Sequence, residues 1–160
     1  MVADFGCGTG LEGEELRKAG FKKIIGLDCS QEMLNNVPEG VYDEKLKFFL
    51  GKDPVPESLK EKCDLVTASG VLVSSHVPPS FIEEMLTLMK KGAYFVFNGR
   101  DTIYNKDGYK EALEKLVADG KYALVKEHNY QRGVASVDIN QANKDLLSQQ
   151  SATIFILQKL

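Results

Sequence analysis

The feature that most constrains this chain is a glycine turn, Gly6-Cys7-Gly8-Thr9-Gly10, set between the apolar run Val2-Ala3-Asp4-Phe5 and a helical pattern that opens at Leu11. A short buried strand that turns on glycines into a helix begins a crossover unit, since parallel strands cannot be joined by a tight hairpin. In folds of that kind ligands bind outside the carboxyl ends of the strands, which is where this turn lies. Its spacing narrows the ligand. Dinucleotide turns use G-x-G-x-x-G, whereas this turn reads Gly6-x-Gly8-x-Gly10, and it has no Lys-Ser/Thr of a phosphate loop. Asp4 before the turn, and Glu12, Glu14 and Glu15 after it, also crowd with negative charge the helix end where a pyrophosphate needs positive potential.

The alternation continues along the chain. The first helix is expected from Leu11 to Ala19, started by a Thr9/Glu12 capping box and stopped by Arg17, Lys18 and Gly20. Lys23 to Asp28 reads as the second strand, and Ser30 caps a short helix carrying Met33 and Leu34 before Pro38. The third strand is Leu46 to Leu50; a connection through Asp53-Pro54-Val55-Pro56 and a helical turn near Leu59 lead to a fourth at Cys63 to Ala68. Phe81, Ile82, Met85, Leu86 and Met89 recur at helical spacing between Ser80 and Lys91, with Gly92 as the stop. Ala93 to Asn98 is the fifth strand, followed by a helix striped by Tyr109, Ala112, Leu113, Leu116 and Val117. Tyr122 to Lys126 and Thr153 to Leu157 then read as two strands that pair antiparallel, and Val134 to Gln150 fits either an irregular excursion or a short helix. The expected class is α/β: a doubly wound, mostly parallel, seven-stranded Rossmann-like sheet with an antiparallel strand near the carboxyl terminus.

With 160 residues the chain can bury one ordinary core, so a single domain over 1–160 is expected. No apolar run reaches the roughly 18 residues of a spanning helix, and Met1-Val2-Ala3-Asp4 has no basic, apolar secretion signal. A cytoplasmic protein without membrane contact is the expectation. The formal net charge of -3 disfavours a nucleic-acid surface, which needs clustered Lys and Arg. Cys7, Cys29 and Cys63 form no C-x-x-C pair and no His-accompanied cluster, so they are expected to be buried, reduced thiols, and no metal site is assigned.

Asp28 ends the second strand 18 positions after Gly10. A carboxylate there can accept both hydroxyl protons of a ribose, a role that would suit a nicotinamide dinucleotide equally. The glycine spacing and Asp4 favour instead an adenosyl ligand bearing an amine and a sulfonium.

Three segments carry a resemblance: Val2 to Gly10, Gly26-Leu27-Asp28-Cys29-Ser30-Gln31-Glu32-Met33-Leu34, and Cys63-Asp64-Leu65-Val66. They look like three motifs of class I S-adenosylmethionine-dependent methyltransferases, and most resemble methyltransferase-like proteins of the Williams-Beuren chromosome-region type. There Ser69-Gly70-Val71 and His76-Val77-Pro78-Pro79 also have counterparts. The likeness covers about the first hundred residues and is only architectural beyond Arg100.

The resemblance implies S-adenosylmethionine as cofactor. Asp4 and the backbone of Gly6, Cys7 and Gly8 would hold its methionine moiety, with Gly10 permitting close approach of the helix. Asp28 would take the ribose hydroxyls, Cys29 and Met33 would lie against the adenine, and Asp53 could accept the adenine amino protons. Ser69, Gly70 and Val71 would flank the transferable methyl. Met33 could equally be core, Asp53 a turn residue and Gly70 a loop glycine. An acceptor that must lose a proton needs a base, and His76 is the nearest candidate, against a helix-start role beside Pro78 and Pro79. His128, Asn129, Tyr130 and Arg132 could line an acceptor pocket or form a surface loop, and Arg100 could pair an acidic acceptor or make a surface ion pair. Proteins of this type ordinarily carry helical residues before the first strand; the sequence opens inside that strand, so the domain is expected to lack that cover unless a partner chain supplies it. The implied activity is methyl transfer to a small molecule or a protein side chain. The alternative is a catalytically silent S-adenosylmethionine-binding module or regulatory subunit.

Overall fold

In the computed structural model, residues 1–72, 77–131 and 151–160 are described. The strands are β1 (Val2–Phe5), β2 (Ile24–Asp28), β3 (Glu44–Lys47), β4 (Cys63–Leu72), β5 (Met89–Arg100), β6 (Tyr122–Gln131) and β7 (Ser151–Lys159). The helices are α1 (Leu11–Lys18), α2 (Gln31–Asn35), α3 (Phe81–Leu86), α4 (Asp101–Tyr104) and α5 (Tyr109–Ala118). The strands form one seven-stranded sheet in the order β3-β2-β1-β4-β5-β7-β6. β3 through β5 run parallel, and β7 lies antiparallel between β5 and β6. The winding reverses between β1 and β4, which places a crevice at their carboxyl ends.

Alternate side chains of β1 feed two cores. Ala3 and Phe5 join the larger one, which runs through Leu27, Phe95 and Phe97 to Tyr122 and Leu157. On that face Phe81 of α3 packs edge-on against Phe95, Phe97 and Tyr109, at ring-centroid separations of 6.0, 5.9 and 6.2 Å. Val2 points the other way, into a smaller core with Leu16, Ile24, Leu34 and Tyr42. No helix among the described residues is long and apolar enough to cross a membrane.

Several boundaries differ from the sequence expectation. The start of α1 is not a Thr9/Glu12 capping box: Gly10 is the cap, in the left-handed region at φ 94°, with no side-chain bond. The helix stops as expected. Gly20 N–H donates to Arg17 O and Phe21 N–H to Leu16 O, the paired bonds of a Schellman turn on a left-handed glycine. β3 comes earlier than expected. Its Glu44-Lys45 are the polar residues an exposed edge strand tolerates, while the apolar Phe48 and Leu50 lie beyond the pairing and are buried. α3 is only six residues long; Met89 opens β5 instead of ending a helix. Gly92 does not cap that helix. It sits at φ 79° where β4 advances two residues from Cys63 while β5 advances five from Met89, so it serves an irregularity in a strand. β6 extends to Gln131 and so includes His128 to Tyr130, residues expected to follow the sixth strand. α4 was not foreseen, and the unassigned span Val134 to Gln150 lies outside the described residues.

Candidate cofactor site

The glycine turn folds back onto β2. Gly6 and Cys7 both donate their N–H to the Leu27 carbonyl, at 2.8 and 3.1 Å, and Gly10 donates to Cys7 O. Gly6 and Gly8 have φ of 67° and 55°, which residues with a Cβ adopt only under strain. Space excludes a side chain at Gly6 as well, since a Cβ there would stand 2.3 Å from Val71 Cγ1. The turn is therefore pressed against the carboxyl end of β4.

Asp28 ties the turn to α2. Its Oδ2 accepts from Gly8 N–H at 2.9 Å and its Oδ1 from Ser30 N–H at 2.8 Å. Each oxygen keeps a further lone pair, so the carboxylate can still accept hydroxyl protons. Ser30 Oγ in turn accepts from Met33 N–H and caps α2.

Between these parts lies a cavity of about 240 Å³, with Gly6 and Asp28 on one wall and Leu27, Phe48, Phe49 and Val71 supplying apolar surface. Asp28 is the charged residue of its described lining, which holds no Lys, Arg or His. An apolar slot closed by a single carboxylate matches a purine joined to a ribose, and it offers nothing to a pyrophosphate. The donor set fits S-adenosylmethionine.

Beneath the turn, Asp4 is buried and accepts two hydroxyl bonds: Tyr42 Oη to Oδ2 at 2.6 Å and Thr67 Oγ1 to Oδ1 at 2.9 Å. Burial pushes its carboxyl above the ordinary range, and the two hydroxyl bonds pull in the opposite direction. Glu12, on the first turn of α1, faces the hydroxyls of Thr67 and Ser69. Burial, with help from the charge of Asp4, raises it to about 7. Cys7 is buried, and desolvation together with Asp4 and Asp28 holds its thiol at about 12, so it is chemically quiet.

The structure gathers Gly6, Asp28, Cys29, Gly70 and Val71 around one cavity. Asp4, Cys7, Gly8 and Gly10 are not among its lining residues; Cys7 and Gly10 are buried against the smaller core, and Gly8 reaches the cavity only through its bond to Asp28. Ser69, Gly70 and Val71 belong to β4 itself and not to a following loop; the strand is irregular there, with Gly70 at φ 72°. Met33 does not line the cavity and is exposed, so it is not core either. Cys29 is exposed, contrary to the expectation that all the thiols are buried. Asp53 also stands apart from the cavity lining: its Oδ2 accepts from Phe49 N–H at 2.6 Å, the local bond of a turn residue. His76 and Arg132 lie outside the described residues.

Sequence reading missed Phe48, Phe49, Tyr42 and Thr67. The run Phe48-Phe49-Leu50 carried a usable signal, because it follows a parallel strand at the ligand-bearing edge. Nothing local to Tyr42 announces its partner 38 residues away.

Comparisons with known proteins identify the family. The methyltransferase domain family matches residues 2–136. Methyltransferase-like protein 27 of Homo sapiens is 36% identical over 115 residues, covering 71% of this chain and 46% of that protein. The tRNA U34 carboxymethyltransferase of Colwellia psychrerythraea is 31% identical over 123 residues, covering 74% of this chain and 33% of the relative. The chain thus spans less than half the length of these curated relatives. Among solved structures, N-methyltransferase NodS from Bradyrhizobium japonicum in complex with S-adenosyl-L-homocysteine superposes with a TM-score of 0.69 at 14% identity, covering 99% of this chain and 76% of that one, which shows a common fold. With the family matched over most of its length and a relative 36% identical over 71% of it, the chain belongs to the class I S-adenosylmethionine-dependent methyltransferases.

Proposed function

We propose that this chain binds S-adenosylmethionine in the cavity beside Gly6 and Asp28 and transfers its methyl group to a small molecule or a protein side chain. The observation that carries the reading is the joining of Asp28 to the glycine turn at the mouth of an apolar slot. Bound there, the cofactor supplies an activated methyl on a sulfonium that leaves as a neutral thioether. The chain's own part is positioning. Asp28 accepts the ribose hydroxyls, the Phe48 and Phe49 side of the slot takes the base, and a cationic methionyl end would favour the ionised forms of Asp4 and Glu12, whose protons burial otherwise retains. Gly70 and Val71 would flank the methyl, and alignment of donor with acceptor can supply roughly 7 to 11 kcal/mol. For an acceptor that must lose a proton, His76 is the proposed base. Cys29 is proposed at the adenine edge, whereas the placements of Met33 and Asp53 argue against a direct role for either. The net charge of -3 by itself points away from a nucleic-acid acceptor, but the similarity to a tRNA U34 carboxymethyltransferase runs against that expectation, and a partner chain covering the site is compatible with the reading.

Calorimetric titration with S-adenosylmethionine, S-adenosylhomocysteine and NAD tests it. The first two bind and the third does not. Asp28→Ala weakens the donor by about tenfold or more, as expected for charge-assisted bonds, while Asp28→Asn, which retains one accepting oxygen, loses less. A natively folded chain giving no heat with millimolar donor sinks the reading. Donor binding without turnover of any acceptor would instead mark a silent binding module.

A further inference from the structure

Gly70 lines two cavities. Besides the donor cavity, a second one of about 210 Å³ opens among the carboxyl ends of β4, β5 and β6 and the start of β7. Its polar wall is organised by Asn98. Oδ1 of Asn98 accepts from Gly70 N–H at 2.7 Å, which fixes the orientation of the amide because a backbone N–H can only donate. Nδ2 then donates to Ser69 Oγ at 3.3 Å and to Tyr130 Oη at 3.0 Å. The Tyr130 oxygen is thus an acceptor toward Asn98. Tyr130 lines the cavity, and no acceptor for its own proton is found among the described residues, so that proton is available to a ligand.

Arg100 stands at the same rim. Among the described residues no carboxylate pairs with it. Its neighbour Asp101 is turned to the other face, where it accepts from Thr153 Oγ1 at 2.8 Å. The two cavities therefore differ in sign: the described lining of the donor cavity has one acid and no base, and that of the second has one base and no acid. An ammonium group placed beside Arg100 and Tyr130 would face a guanidinium and a phenolic hydroxyl. A carboxylate would satisfy both.

Resting on the methyl-transfer reading above, we propose that the second cavity is the methyl-acceptor site and that it selects an acceptor carrying a carboxylate, held by the Arg100 guanidinium and the Tyr130 hydroxyl. The remainder of the acceptor lies along Asn98 and Ser69 toward Gly70, the residue shared with the donor cavity. Arg100 and Tyr130 are then specificity residues, and neither contacts the donor.

The test uses the whole chain saturated with S-adenosylhomocysteine. Benzoate, 4-hydroxybenzoate and phenylacetate, each beside its primary amide, are titrated while the amide resonances of Gly70 and Gly99 are followed by NMR. Carboxylates shift both resonances saturably and bind at least about fivefold tighter than their amides, a difference set by charge-assisted hydrogen bonding. Arg100→Met removes that preference and weakens the carboxylates about tenfold; Arg100→Lys retains part of it, and Tyr130→Phe lowers it about threefold. Arg100 is exposed, so its replacement leaves the fold and the S-adenosylhomocysteine affinity unchanged. Carboxylates that do not bind, that bind no better than their amides, or that ignore Arg100→Met while S-adenosylhomocysteine still binds overturn the acceptor assignment alone. Failure of S-adenosylhomocysteine to bind overturns the methyltransferase reading, and this inference with it.

Discussion

Tyr42 shows how one side chain can serve fold and site together. Its ring occupies space that exists because Gly13 and Gly26 have no Cβ: a Cβ at those positions would stand 2.4 and 2.7 Å from ring atoms. Its hydroxyl reaches through that slot to the buried Asp4. Tyr42→Phe keeps the ring and removes one donor from an almost inaccessible carboxylate, so it should cost about 1 to 3 kcal/mol in urea unfolding and weaken the donor. An unchanged midpoint would show that Asp4 finds another partner. Glu12 gives a prediction with a definite sign. Burial raises its folded value to about 7 from an ordinary 4.5, so the folded chain holds the proton to higher pH than the unfolded one. Its contribution to stability is complete below the unfolded value and is lost as pH rises through the folded value. Urea midpoints at about pH 5 and about pH 8 should therefore fall less with pH in Glu12→Gln than in the parent. Parallel curves would mean that Glu12 ionises as freely as an exposed carboxylate.

At the level of elements, α2 sits at the junction of fold and site. It is five residues long, too short to persist by propensity, and is held by the Ser30 cap and by Leu34 buried in the smaller core. Ser30→Ala should cost about 1 kcal/mol, and because Ser30 N–H also bonds Asp28, a loosened cap should weaken the donor more than that stability loss alone explains. Equal Kd for parent and variant would confine α2 to a structural role. The legible elements were those with both a periodic pattern and a chemical stop: α1 with Gly20, α2 with Ser30, and β1 and β2 with their apolar runs. The glycine turn and Asp28 were legible for the same reason, since their chemistry is local. Elements whose limits depend on a neighbour were not. Met89 continues the apolar period of α3 in sequence, yet its backbone pairs with Cys63, and only the tertiary register decides between the two. The Asn98–Tyr130 contact, between residues 32 apart on strands separated by β7, left no trace that one sequence could show.

Considered whole, the molecule sets its donor cavity on the β1–β2 side of the sheet, while its last strands, β6 and β7, close the opposite side. The larger core nevertheless runs without a break from Phe5 and Leu27 under the donor cavity to Tyr122 and Leu157. A core shared in this way should melt as one unit, which makes ligand binding a probe of domain structure. At S-adenosylhomocysteine concentrations about 100 times its Kd, binding stabilises the native state by about 2.7 kcal/mol, which slows exchange through global unfolding roughly 100-fold. The most protected amides of β7, around Phe155 and Leu157, do not line the donor cavity, so any slowing there must come through the shared unfolding equilibrium. They should slow by the same factor as the protected amides of β1, whereas the edge strand β3 and the exposed part of β6 should change little. Slowing confined to β1 and β2, with β7 unmoved, would divide the chain into two independently unfolding parts, and the larger core would then be two cores in contact.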